Sequence, residues 1–184
     1  MPKIIIHLFL FLILMSNLYP QEGNKNLNDI SNLVNLLKET EPSKRIQGAL
    51  LLGNKSSGAT DSVPQLINAM YNEQNIKVRI EIIRALERIA GKANLTVPAL
   101  INELKHDNPQ IRWAASGALT PFGKKASLAV PALLELLEDE DESVRSSAAG
   151  TLARMGPMAA NALIEICMSK NYNYLLRINA IKSL

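Results

Sequence analysis

Residues 130–156 read VPALLELLEDEDESVRSSAAGTLARMG and hold two apolar helix faces joined by an acidic turn. Leu133, Leu134 and Leu137 sit at i, i+1 and i+4, which places them on one face of a helix. Val144, Ala148, Leu152 and Met155 fall at i, i+4, i+8 and i+11 and so line one face of a second helix. Between the two lies the acidic run Glu138-Asp139-Glu140-Asp141-Glu142, read as a solvated turn that caps the helix after it. Pro131 is expected in the first turn of the first helix, where its missing N–H costs nothing.

The pattern recurs along the chain. Val63-Pro64-Gln65-Leu66 and Val97-Pro98-Ala99-Leu100 repeat the opening, while Leu33 and Leu163 lead copies without it. The lead leucines step by 33, 34, 33 and 30 residues. An arginine follows each one (Arg45, Arg79, Arg112, Arg145 and Arg177), and seven residues later comes a leucine: Leu52, Leu86, Leu119, Leu152 and Leu184. Val78, Ile82, Leu86, Ile89 and Ile111, Ala115, Leu119, Phe122 repeat the second apolar face. Gly91, Gly123 and Gly156 are expected to end or follow the second helices. One helix pair cannot cover its own apolar face, but a stack can. The reading is therefore all-α: a right-handed α-solenoid of about five helix pairs over residues 29–184.

The stretch Leu133-Leu134-x-x-Leu137-x-Asp139-x-Asp141-x-x-Val144-Arg145-x-x-Ala148-Ala149-x-x-Leu152-x-x-Met155-Gly156 resembles the short, PBS-lyase-like HEAT repeats found in bacteria. The first copy departs from that pattern with Lys44 for valine and Gly48 for alanine, and the fifth with Asn161 for proline. The resemblance implies a scaffold or binding role. Some HEAT-like proteins are enzymes, which sets the alternative: a PBS-lyase-like or deoxyhypusine-hydroxylase-like lyase or oxidoreductase. The hydroxylases hold two irons through His-Glu pairs. This chain has no His-Glu dipeptide, and His7 and His106 are its two histidines.

Composition sets further bounds. The chain has 184 residues, 47% hydrophobic and 20% charged, with a formal charge of +3, or +2 without Lys3. A near-neutral balance and 4% aromatic residues argue against a nucleic-acid binder. Cys167 is the single cysteine, so an intrachain disulfide is excluded. It is placed at a packed position equivalent to Leu104 and Leu137, and His106 reads as a turn residue. No cofactor and no metal site are expected, and no phosphate-binding glycine motif occurs.

Residues 1–20 resemble a secretory signal peptide: Lys3, then the apolar run Ile4 to Met15, then polar residues. Export, periplasmic or secreted, is the expectation, with membrane attachment only if the segment stays uncleaved. Residues 21–28 read as a linker. At the other end Leu175, Leu176, Ile178, Ile181 and Leu184 are expected to stay partly unroofed. The array therefore reads as incomplete at Leu184 or as meeting a partner there.

The arginine series Arg45, Arg79, Arg112, Arg145 and Arg177 is read as a structural ladder at the joints between repeats. Binding is expected on the second helices, which would line the concave side. Positions one and five past the arginines give the candidate stripe: Ile80, Arg84, Trp113, Gly117 and Ser146. Trp113 is the one tryptophan and sits mid-array, the kind of residue that dominates binding energy. The expected partner is a protein or peptide.

Overall fold

The computed structural model describes residues 29–170, 172 and 174–184. The expectations for residues 1–20 and 21–28 lie outside the described residues. Among the described residues ten α-helices follow in chain order: α1 (Ile30–Leu36), α2 (Pro42–Asn54), α3 (Val63–Asn72), α4 (Ile76–Ile89), α5 (Ala93–Glu103), α6 (Pro109–Ala118), α7 (Val130–Glu135), α8 (Glu142–Leu152), α9 (Pro157–Met168) and α10 (Tyr174–Ser183). There is no strand among the described residues.

The helices pair as the sequence period demands, α1 with α2 through α9 with α10. The second helices α2, α4, α6, α8 and α10 stack on one another in order and form one layer. The first helices form the other. One continuous core lies between the layers, and the repeated lead leucines Leu33, Leu66, Leu100, Leu133 and Leu163 are all buried in it. So are Val78, Ile82, Leu86 and Ile89, and their counterparts in the next two copies. The chain folds as a helical-repeat solenoid.

Short polar side chains start the second helices. Asn75 accepts from the N–H groups of Lys77 and Val78, Asn108 from Gln110, and Asp141 from Ser143 and Val144. Each thereby satisfies donors that a helix start leaves without intrahelical partners.

Several boundaries differ from the sequence expectation. Pro64 and Pro131 lie in the first turn of their helices, but Pro98 lies inside α5, which begins at Ala93. An extra turn has formed there, with the Thr96 hydroxyl donating to Gly91 O at 2.8 Å. The second helix of the third copy stops at Ala118 rather than reaching Phe122, because Pro121 has no N–H to continue the ladder. Phe122 is still buried, delivered by the 3₁₀ stretch Thr120–Ala129. Gly123 and Gly156 take positive φ, as turn glycines do, but at α4 the left-handed residue is Ala90 and not Gly91. Leu176 is buried, while Leu175, Ile181 and Leu184 are exposed as expected.

Gly48 explains the departure in the first copy. A Cβ there would lie 2.8 Å from Leu36 Cβ and 2.9 Å from Leu33 O, so α1 packs on α2 only because residue 48 has no side chain. Gly48→Ala gains helix propensity of up to about 1 kcal/mol. It must also push α1 away, an overpacking cost of about 1–3 kcal/mol. Net destabilisation is expected, read as a lower urea midpoint. A midpoint that rises would show that α1 moves aside freely.

Candidate functional site: a ladder edge and a tryptophan groove

Each ladder arginine but the last sits in the first turn or so of its second helix and reaches back to the turn before it. Arg45 Nη1 donates to the carbonyls of Glu39 and Thr40, and Arg112 Nη1 to those of His106 and Asp107, at 2.7–3.0 Å. Arg79 Nη1 donates to Glu73 O at 3.1 Å. The other two guanidinium nitrogens reach forward. Nε and Nη2 of Arg45 take both oxygens of Glu73 at 2.7 and 3.1 Å. Arg79 takes Glu103 at 2.7 and 2.8 Å, and Arg112 takes Asp139 at 2.7 and 2.8 Å. Each of these arginines therefore ties its own inter-helix turn to the following repeat. The planar fork suits this, since it matches a carboxylate with two parallel bonds.

Burial pushes the Glu73 and Asp139 carboxyls up, but their hydrogen bonds and charge partners outweigh it. Glu73 accepts from Arg45 and the Asn75 N–H, and Asp139 from Arg112 and the Asp141 N–H. The net result holds both below the ordinary carboxylate range. The last arginine, Arg177, is placed differently: its Nε donates to Cys167 O at 3.2 Å. Cys167 is half-buried, less covered than Leu104 and Leu137 at the matching positions. His106 is a half-buried turn residue whose Nδ1 accepts from the Asn108 N–H at 2.9 Å. Among the described residues no three His, Cys, Asp or Glu side chains converge as metal ligands, and no helix is long and apolar enough to cross a membrane.

The second-helix layer carries a groove. Ile80 and Arg84 of α4 and Trp113 of α6 line one cavity of about 540 Å³, closed by Pro109, Gln110, Asp141 and Ser143. Trp113 and Ser146 line an adjoining space of about 470 Å³ with Glu142, Ser143 and Ser147. Trp113 is 42% exposed despite its size. Arg84 is exposed and 3.6 Å from Glu81. Gly117 lines neither cavity. It lies beside Ser147, whose Oγ would sit 3.7 Å from an added Cβ. Two hydroxyls on α8 hold α6 in place beneath the tryptophan: Ser147 Oγ donates to Trp113 O at 3.2 Å and Thr151 Oγ1 to Ser116 O at 3.0 Å.

Sequence reasoning brought Ile80, Arg84, Trp113 and Ser146 to this face but missed the opposite wall. Pro109, Gln110, Asp141 and Ser143 lie at the starts of second helices, and of these the sequence pattern singles out only Asp141, in the acidic turn. A larger cavity, about 740 Å³, lies elsewhere, between α1 and α3, lined in part by Val34, Leu37 and Ala69. Arg45 and Glu73 at its edge are already paired with each other.

Residues 97–184 match the family model for HEAT repeats. Three solved structures are similar in fold. A crystal structure of an engineered protein gives a TM-score of 0.60 at 22% identity, over 84% of this chain and 77% of that one. The complex of CpcE and CpcF, phycocyanin lyase from Nostoc sp. PCC7120, gives 0.59 at 20% identity, over 84% and 96%. AlkD2 from Streptococcus mutans gives 0.51 at 18% identity, over 90% and 83%. No curated protein matches the chain in sequence.

Proposed function

We propose that this chain is a non-catalytic scaffold of the HEAT-repeat type that binds a protein or peptide along the groove centred on Trp113. One observation carries the reading: a large aromatic side chain stands 42% exposed in the middle of a continuous groove, on a backbone held by hydroxyl bonds from the next helix. A rigid aromatic anchor at the centre of a recessed surface is the usual seat of binding energy. Ile80 supplies an apolar neighbour, while Arg84, Gln110 and Ser143 supply polar contacts that fix direction. The CpcE–CpcF neighbour, itself a complex of two chains, accords with assembly on such a surface. The apolar run in residues 1–20 supports a place outside the cytoplasm, periplasmic or secreted.

The test is quantitative binding of a partner captured on the full chain and identified by mass spectrometry. Trp113→Ala is expected to weaken it by about 30- to 1,000-fold, the equivalent of roughly 2–4 kcal/mol, with the helical circular-dichroism signal unchanged. Binding indifferent to Trp113→Ala and Arg84→Ala would place the site elsewhere. Purified protein carrying stoichiometric iron would overturn the non-catalytic reading.

A further inference from the structure

At Arg145 the ladder lacks its forward carboxylate. Arg145 holds its own turn as its siblings do, Nη1 donating to Asp139 O at 2.8 Å and Glu140 O at 3.1 Å. In the preceding copies the forward carboxylate comes from the next repeat, but here that repeat's one acid, Glu165, is exposed on α9 and not paired with Arg145. Glu165 is the last acid in the sequence, and residues 166–184 carry only Lys170, Arg177 and Lys182 as charged side chains. The residue in the matching place is Ser169. Glu73, Asp139 and Ser169 each end a first-layer helix in extended backbone, with φ/ψ of −85/126, −55/145 and −83/133. With serine there, Arg145 has no carboxylate partner among the described residues.

Arg145 lines a cavity of about 390 Å³ between α8 and α10, together with Glu142, Ser146, Gly150, Asn179 and Lys182. It continues the Trp113 groove through Ser146. Its wall is open at Gly150, where an added Cβ would meet nothing within 4 Å. The Asn179 amide is committed to Leu137 O at 2.8 Å. The charges that line it are two cations, Arg145 and Lys182, against the single carboxylate of Glu142. Asp139 lies near Arg145 but is held by Arg112, which also pairs with Glu140.

We infer that Arg145 and Lys182 receive a side-chain carboxylate, Asp or Glu, from a partner peptide lying along the groove. The Arg112–Asp139 pair is the chemical precedent within the chain for a carboxylate on such an arginine. The inference rests on the groove reading above and adds the chemistry the partner presents at the α8–α10 end. Ser146 adds a hydroxyl donor, and Gly150 leaves room for the peptide backbone.

The probe is a randomised octapeptide library displayed on phage and selected on the full chain. Its best binder is then synthesised with capped ends. Enrichment of Asp or Glu at one position is expected, and changing that residue to the amide should weaken binding about 10- to 100-fold, as the loss of a charged hydrogen-bonded pair does. Ser169→Asp supplies the missing rung from within. It should raise the melting temperature and weaken the acidic peptide by about tenfold while leaving the amide version unchanged. Glu142→Gln should tighten the acidic peptide. Arg145→Lys keeps the charge but not the fork, so it should cost part of the gain. Binders that need Trp113 but treat acid and amide alike overturn this inference and leave the groove reading standing. Binders indifferent to Trp113→Ala, or no binders at all, overturn both. A single-stranded oligonucleotide that binds more tightly than the selected peptide replaces the carboxylate with phosphate and overturns the inference.

Discussion

Arg79→Ala lowers the stability of the array by about 3–5 kcal/mol, the loss expected when one partner of a buried ion pair is removed. Its partner is the reason. The Glu103 side chain is 1% exposed, and both its oxygens bond to Arg79. Without the guanidinium, a carboxylate inside the joint between the second and third repeats has lost its counter-charge and two hydrogen bonds. The carbonyl of Glu73 loses a donor as well. Urea unfolding measures the effect, and a double-mutant cycle separates its parts. Arg79→Met with Glu103→Leu removes both charges and keeps the volume, so most of the loss should return. A loss below about 1 kcal/mol for Arg79→Ala alone would make the pair equivalent to a surface salt bridge and reduce the ladder to decoration.

Leu86→Ala costs about 3–5 kcal/mol, from lost transfer energy and from the cavity left behind. Leu86 is fully buried in α4, and α4 packs against both α2 and α6. In a stacked array each repeat is stabilised mainly by its neighbours, so a cavity at this position weakens two joints at once. Leu128→Ala is the control. Leu128 is 73% exposed, and its loss should stay within about 0.5 kcal/mol. Equal effects at the two leucines in urea unfolding would mean that Leu86 does not belong to the core.

The helix pairs were legible because their signal is periodic. Lead leucines and ladder arginines recur in phase, and all but Arg177 sit where the period puts them. The acceptors were not legible by spacing. Glu73, Glu103 and Asp139 follow their arginines by 28, 24 and 27 residues. Glu73 and Asp139 stand just past the ends of their helices, whereas Glu103 is the last residue of α5. A three-dimensional position was preserved while the sequence offset was not. The 3₁₀ stretches Ser56–Ser62 and Thr120–Ala129 carry no apolar period of their own, so nothing in the pattern announced them. On the groove, Ile80 and Trp113 followed from counting one residue past an arginine. Asp141 and Ser143 reach the same cavity only because α8 begins beside α6, a fact of layer spacing.

The arginine edge also determines how the wall can deform. Glu73 receives Arg45 on its carboxylate and Arg79 on its carbonyl, and Asp139 does the same for Arg112 and Arg145. Links of this kind run along one margin of the stack, and directed bonds tolerate only small changes in length. The apolar contacts elsewhere are non-directional and allow neighbouring helices to shear a little. Widening or narrowing of the groove therefore pivots about that margin, as pages turn on a spine, and the largest travel falls to the residues farthest from the arginines.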